Sequence, residues 1–341
     1  MSVLAAGAAL ALPCAAVAAP KAEVRGDLPD DLRDRVERAV GDTDDAADNR
    51  FQARRRARSA AEDAEAVLRS EGYYGAIIAQ DVEGDEAPRA VLTITPGARF
   101  LIVSPTLEWT GDTPEAGPAA MAQEAMALIP GSPGRAAEVL AAEGRVVASL
   151  TANGYADAVA GDRTVTVDHA ATTLQPTFRI VAGQLVILNG VSLRTRGPTN
   201  LAWVERLAPW RPGDRYTTES VGELERRLLE TGVYDSVAVS LAPVNEATPD
   251  GRRPIIVSLS DRPRRILEAG VGVSTSEGFG VDAIWTWYNR FGRADTLRFE
   301  FRLAQINSRI GSELSLPHWR RPGRTLKLGA ALFDEDTDAY D

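Results

Sequence analysis

The stretch Leu229-Glu230-Thr231-Gly232-Val233-Tyr234 decides the fold, because the chain carries three versions of it. The earlier versions are Leu68-Arg69-Ser70-Glu71-Gly72-Tyr73-Tyr74 and Leu150-Thr151-Ala152-Asn153-Gly154-Tyr155. The period is about 80 residues, which is typical of tandem structural repeats. In each version we expect the glycine to end a helix in the left-handed conformation and the aromatic residue to return to the core. The repeat-defining residues are therefore Gly72, Tyr73, Gly154, Tyr155, Gly232 and Tyr234.

Each repeat predicts the order strand, helix, helix, strand, strand. The long helix before each glycine has an apolar stripe, formed by Ala57, Ala61, Ala64 and Leu68, by Ala136, Val139, Leu140, Val147 and Leu150, and by Val221, Leu224 and Leu228. Shorter helices are predicted at residues 32–40, 119–129 and 201–207, and strands rich in β-branched residues at 89–95, 177–181 and 254–259. Such a unit is an α+β domain with helices on one face of a small sheet.

The N-terminus predicts export. Residues 1–20 are small and apolar and end in Ala-Val-Ala-Ala before Pro20, which is typical of a secretory signal peptide. A helical membrane anchor is the alternative, but an apolar stretch of about 16 residues interrupted by Pro13 is short for a span. Cys14 is the only cysteine, so the mature part can form no internal disulfide.

From Arg264 the pattern changes to alternation of apolar and polar residues. In the first segment, Leu267, Ala269, Val271 and Val273 share one face, and Glu268, Gly270, Gly272 and Ser274 share the other. Four more segments alternate similarly, at 281–287, 296–303, 309–316 and 326–332. Segments of about ten residues with one apolar face are typical of outer-membrane β-barrel strands. Candidates for an aromatic girdle at the membrane interfaces are Trp285, Trp287, Tyr288 and Trp319.

A soluble sandwich would also show this alternation, but the export signal and the three repeats favour a barrel. Turns are predicted at residues 276–278, 289–292 and 321–323. Five strands are too few to close a bacterial barrel, for which about eight is the smallest number. This interpretation therefore predicts an incomplete, N-terminal part of a barrel.

Charge and motifs argue against several other functions. The net charge of −10 is unlike that of a nucleic-acid-binding protein, and Arg54–Arg56 with Arg58 are interpreted as the solvent face of a helix. His169 and His318 have no second histidine or cysteine at ligand spacing, and Gly270-Val271-Gly272 lacks the third glycine of a dinucleotide loop. We expect no enzyme activity, no catalytic or metal-binding residue, no cofactor and no nucleic-acid partner.

The third repeat has the clearest motifs, Pro212-Gly213-Asp214-Arg215-Tyr216 before its long helix and Leu228-Leu229-Glu230-Thr231-Gly232-Val233-Tyr234 after it. With these repeats, and with the segment 288–297 (YNRFGRADTL) in the tail, the chain resembles the POTRA-plus-barrel superfamily of outer-membrane insertases. Three POTRA units point to its TamA type, since BamA-type relatives usually have five and two-partner secretion transporters two. The resemblance implies POTRA domains at 22–96, 97–181 and 182–262, and the first barrel strands at 264–341.

This resemblance implies insertion or translocation of outer-membrane proteins, autotransporters especially, without nucleotide hydrolysis. The chain would lie in the bacterial outer membrane with its POTRA repeats in the periplasm. The implied partners are unfolded outer-membrane or autotransporter polypeptides, outer-membrane lipid, and an inner-membrane-anchored TamB-type protein that docks on the first repeat. One alternative is a BamA-type or two-partner-secretion relative. The other is a periplasmic scaffolding or binding protein without insertase activity, which would explain the repeats but not the alternating tail.

In this family the first barrel strand, here residues 264–275, lies at a weakly closed seam. The resemblance therefore implies a client-binding strand that includes Leu267, Glu268, Ala269, Gly270, Val271, Gly272 and Val273. Gly270 and Gly272 lack packing side chains and can weaken local pairing, so that the seam opens. Alternatively, they make room for side chains inside the barrel or for sheet curvature.

Overall fold

The computed structural model describes residues 19–43, 45–274, 278–304 and 307–335. These residues form two compact units. The first unit contains the residues up to 110 together with 122–146 and 160–180. The second unit contains 111–121, 147–159 and the residues from 181 onward. Most of the predicted signal peptide lies outside the described residues. Its last two residues, Ala19 and Pro20, pair with Thr43 and Asp42. None of the described helices is both long and apolar enough to cross a membrane.

The first repeat is an α+β domain. Its elements are β1 (Ala19–Pro20), β2 (Glu23–Arg25), α1 (Asp30–Val40), β3 (Asp42–Thr43), α2 (Arg50–Ser70), β4 (Ile77–Glu83) and β5 (Arg89–Thr95). Strand β5 is central, with β2 parallel and β4 antiparallel to it. The predicted stripe of α2 is buried in one core with α1 and the sheet. Arg54 and Arg58 lie on the exposed side of the helix.

The second repeat has the same order. Its elements are β6 (Leu101–Ile102), β7 (Thr106–Trp109), α3 (Ala116–Ala125), α4 (Ala136–Ala152), β8 (Val159–Ala160), β9 (Thr164–Asp168) and β10 (Thr173–Val181). Strands β6 and β7 pair parallel to β10, and β9 pairs antiparallel to it.

Two predictions for these helices were wrong in detail. Helix α3 ends four residues early, because Ala127 adopts a positive φ of 50° and Pro130 follows. The buried residues of α4 are Val139, Ala142, Val146 and Leu150, whereas the predicted Leu140 is 58% exposed. The helix is rich in alanine, so several apolar stripes fit its sequence equally well.

The third repeat contains β11 (Leu188–Thr195), α5 (Leu201–Leu207), α6 (Thr218–Leu229), β12 (Tyr234–Leu241), a 3-10 turn (Val244–Glu246) and β13 (Arg253–Asp261). The side chains of Asn200 and Thr217 cap α5 and α6 by accepting from backbone N–H groups of the first turn. Strand β13 is central, with β11 parallel and β12 antiparallel. The core of the third repeat includes Trp203, Leu224, Leu228 and Val257.

The tail forms an open antiparallel sheet in the order β14-β15-β16-β17-β18. Its strands are β14 (Arg265–Ser274), β15 (Gly278–Tyr288), β16 (Thr296–Ala304), β17 (Asn307–Leu316) and β18 (Leu326–Glu335). The register places Val271, Val281 and Leu303 side by side, so the predicted apolar face is continuous across strands. The predicted turns at 289–292 and 321–323 connect strands, while residues 275–277 lie outside the described part.

Candidate functional site: the first sheet strand and its junction with the third repeat

The same junction recurs between successive repeats. Gly72, Gly154 and Gly232 have positive φ angles of 94°, 101° and 70°. The carbonyl of Gly72 accepts a hydrogen bond from the N–H of Phe100 at 2.8 Å, and that of Gly154 accepts from Val186 at 2.9 Å. The glycines that end the long helices of the first two repeats therefore also hold the first residues of the next repeat.

The repeat aromatics differ in their surroundings. Tyr155 and Tyr234 are buried, as expected, and the Tyr155 hydroxyl accepts from the N–H of Glu115 at 2.8 Å. Tyr73 is only half-buried, and the Arg99 guanidinium lies 5.3 Å from its ring centre. Tyr73 still packs against the core of the first repeat, and its exposed part makes a cation–π contact.

The tail is attached to the third repeat through Asn289, the first residue of the turn between β15 and β16. Its side chain is 1% exposed, and its Nδ2 donates to Thr199 Oγ1 at 2.8 Å and to Asp261 Oδ1 at 3.0 Å. Thr199 Oγ1 in turn lies 3.0 Å from the Tyr234 hydroxyl. Burial raises the pKa of the Tyr234 phenol, so this hydroxyl stays neutral and able to hydrogen-bond.

The turn itself is held by Asp295, which is fully buried. Its carboxylate accepts from the N–H groups of Arg290 and Phe291, both at 2.9 Å. Gly292 approaches the carbonyl of Pro198 so closely that a side chain would collide with it. The Gly292 carbonyl accepts from the N–H of Asn200 at 2.9 Å, which joins the turn to the start of α5.

A second turn, between β17 and β18, also contacts the third repeat. His318 Nε2 donates to the carbonyl of Arg227 at 2.8 Å, and its Nδ1 accepts from the N–H of Gly323 at 2.9 Å. These bonds require the neutral ring with the proton on Nε2. Because two separate turns bind the third repeat, the sheet is fixed to it in a defined orientation.

Strand β14 pairs on one side only within the described residues. The N–H of Tyr288 donates to the carbonyl of Arg264 directly opposite, at 2.9 Å. Because antiparallel residues alternate in direction, the backbone groups of Glu268, Gly270 and Gly272 point toward β15. Those of Leu267, Ala269, Val271 and Val273 therefore point to the open edge.

The two seam glycines have different surroundings. A Cβ on Gly270 would lie 2.9 Å from both carboxylate oxygens of Asp282, so this glycine makes room for a neighbouring side chain. A Cβ on Gly272 would meet nothing within 4 Å, and Gly272 is paired with Gly280. The need for space therefore explains Gly270 but not Gly272.

The predicted interface aromatics occupy different environments. Trp285 stacks on Phe299 at 5.5 Å, and Trp287 lies between the guanidinium groups of Arg265 and Arg290. Tyr288 instead packs against the core of the third repeat. Trp319 is half-buried, and its backbone N–H donates to the carbonyl of Arg324.

Sequence analysis did not predict the roles of four residues in this junction, Thr199, Asp261, Asn289 and Asp295. Asn289 and Asp295 lie within the segment 288–297 on which the resemblance partly rests, but their partners are distant in sequence. Nothing in the described ranges groups three or more His, Cys, Asp or Glu side chains as a metal site would.

Comparison with known proteins supports this architecture. The sequence model of POTRA domain 1 of TamA matches residues 21–96. The structure is similar to that of Haemophilus ducreyi BamA lacking POTRA domains 1–3, with 20% identity and a TM-score of 0.58 over 71% of this chain. The chain spans 44% of the length of that protein. Haemophilus influenzae BamA POTRA3–5 aligns at 16% identity with a TM-score of 0.41, covering 73% of this chain and 99% of that one.

The similarity to BamA extends over 71% of this chain, while the match to TamA covers the first repeat. The sheet is open in the described residues, and its strands correspond to the first strands of a barrel. The chain therefore has the fold of the POTRA-plus-barrel outer-membrane superfamily, with a first domain similar to that of TamA.

Proposed function

We propose that this chain belongs to a TamA-like factor that inserts or translocates β-barrel clients, autotransporters among them. It lies in the bacterial outer membrane, with its POTRA repeats in the periplasm. The observation that carries the proposal is β14, a ten-residue strand that directly follows the third repeat and has an exposed apolar face. Among the residues that the structure describes, β14 pairs with β15 and its other edge is unpaired. Such an edge can accept a client strand through backbone hydrogen bonds.

The repeats have open edges too. Strand β4 of the first repeat and β12 of the third each pair with one neighbour within the described sheets. We propose that these edges hold unfolded clients before they reach β14. A TamB-type inner-membrane partner is the proposed ligand of the first repeat, on the basis of the TamA domain 1 match.

Site-specific photo-cross-linking tests the proposal. A photoreactive residue at Val271 in β14 should capture an autotransporter barrel domain during its assembly. Leu303 is a matched control because it lies on the same face of the sheet as Val271. Val271 pairs with Val281, which pairs with Leu303, so Leu303 is two strand spacings of about 4.8 Å away from β14. Client adducts at Val271 and few at Leu303 support the proposal. Equal adducts at both positions contradict a client site at the edge.

Membrane extraction separates this function from a periplasmic scaffold. A sheet embedded in lipid by its apolar face requires detergent for release, whereas a scaffold bound at the surface is released by urea or salt. Release of the whole chain by urea alone would favour the scaffold.

A further inference from the structure

The end of the apolar face nearest the third repeat carries a stack of Arg265, Trp287 and Arg290. Arg265 lies opposite Trp287 in the β14–β15 register, and its guanidinium carbon is 4.5 Å from the centre of the indole. The guanidinium carbon of Arg290 is 4.1 Å from the same ring. Two cations are thus held within cation–π distance of one tryptophan.

Neither guanidinium is neutralised by the protein. Across residues 19–43, 45–274, 278–304 and 307–335, Arg265 and Arg290 form no ion pair, and both are exposed. Asp295, the acid closest to Arg290 in sequence, uses its carboxylate on backbone N–H groups of the turn. Trp287 Nε1 is shielded and has no acceptor in this part of the chain. Two like charges around one ring repel each other, so an anion bound beside them is favoured.

The positive charge extends into the segment that precedes β14. Arg262, Arg264 and Arg265 fall within four residues. Among the described residues, Arg262 is the one of the three that has an ion-pair partner, Asp235 at 3.6 Å. Arg262 and Arg264 also line an open cleft of about 970 Å³ at the same end of the sheet. The same cleft is lined by Arg194 and Arg196 and by the acids Asp235 and Asp261, so arginines outnumber acids and the local field favours anions at this end.

The apolar surface beside the stack indicates which anion. Arg265 is the first residue on the face that continues with Leu267, Val271 and Val273, whose side chains are 71%, 76% and 84% exposed. A face of this kind is covered by acyl chains, and tryptophan with arginine at its end lies at headgroup depth. An anion in this position is a lipid phosphate.

We propose that Arg265, Trp287 and Arg290 bind the phosphate of an anionic phospholipid in the periplasmic leaflet. This inference rests on the proposed position of the sheet in the outer membrane. The guanidinium groups donate to phosphate oxygens, as arginine does to oxyanions generally. The bound lipid lies at the base of β14, the strand proposed to receive clients.

Bromolipid quenching of tryptophan fluorescence tests the site on the full chain. The chain is placed in micelles of an uncharged detergent that contain brominated phosphatidylglycerol or brominated phosphatidylcholine at equal mole fraction. We expect phosphatidylglycerol to be enriched on the order of tenfold over phosphatidylcholine, with loss of the preference in high salt. The double variant Arg265→Gln/Arg290→Gln should abolish the preference. The control Arg321→Gln/Arg324→Gln removes the same charge from the exposed turn between β17 and β18 and should retain it.

Several results would overturn the site. Equal quenching of the unaltered chain by both lipids does so without any variant. A control variant that loses the preference equally shows general charge attraction, and complete displacement by glycerol phosphate shows a site for free phosphate esters. If client cross-linking at Val271 persists in any of these cases, the lipid site alone is wrong. If urea alone releases the chain from membranes, both proposals fail.

Discussion

At the scale of single residues, Asn289 holds the sheet to the third repeat with one amide group. Its Nδ2 donates hydrogen bonds to Thr199 and Asp261, and its Oδ1 accepts one from the N–H of Ala294 at 3.0 Å. Asn289 adopts a positive φ of 50°, which asparagine tolerates better than most residues. The side chain and the backbone conformation thus both favour asparagine here.

Replacing Asn289 with alanine should therefore destabilise the junction. The change leaves the buried N–H of Ala294 and one oxygen of Asp261 without a partner, at a cost of about 2–3 kcal/mol in the free energy of unfolding. Urea denaturation of the purified chain measures this loss. Asn245→Ala, at an exposed position of the 3-10 turn, should change stability by less than about 0.5 kcal/mol. Equal effects of the two changes would contradict the structural role of Asn289.

Tyr234 gives the junction a dependence on alkaline pH. Because burial raises the pKa of its phenol, the folded state binds this proton more tightly than the unfolded state does. The resulting stability is present below the unfolded pKa of about 10 and is lost as pH rises above it. Tyr234→Phe should cost about 1 kcal/mol near neutrality, from the lost bond with Thr199.

The unaltered protein and Tyr234→Phe should differ less in their free energies of unfolding above about pH 10. The reason is that the unaltered protein loses stability as Tyr234 titrates, whereas phenylalanine does not titrate. Free energies of unfolding measured at several pH values check this expectation. A difference that stays constant or widens with pH would show that Tyr234 does not titrate as its burial implies.

At the scale of elements, sequence periodicity predicted the sheet better than the helices. Alternation with a period of two assigned one face to Leu267, Ala269, Val271 and Val273 of β14 and to Val281, Ala283, Trp285 and Trp287 of β15, and the strand register places them together. The alanine-rich α4 gave no unique stripe, so Leu140 was misplaced. The Asn289 cluster was not predictable, because Thr199 and Asp261 come close to it only after the third repeat and the sheet have formed.

Replacement of Gly272 tests the hypothesis that the glycines of β14 weaken local strand pairing so that the seam opens. Valine at this position meets no atom within 4 Å of its Cβ, whereas valine at Gly270 is directed at Asp282. Gly272→Val should strengthen strand pairing by up to about 1 kcal/mol. If client insertion requires the seam to open, this variant inserts autotransporters about fivefold more slowly while remaining folded. Normal insertion by Gly272→Val would favour the interpretation that the glycines serve space or curvature.

At the scale of the whole molecule, direct hydrogen bonds join neighbouring domains within each of the two compact units. The terminal glycines of the first two repeats bind the opening residues of the next repeat, and two turns of the sheet bind the third repeat. The proposed binding of clients by exposed backbone edges requires no reactive side chain.

The most direct measurement is autotransporter insertion by the variant Ala269→Pro. The N–H of Ala269 points to the open edge of β14, so proline removes a donor that a client would use and leaves the β15 side intact. We predict a folded, detergent-extractable protein whose insertion rate falls at least about fivefold, as expected for the loss of one backbone hydrogen bond. Insertion at the wild-type rate by this folded variant would contradict the claim that the free edge of β14 receives clients.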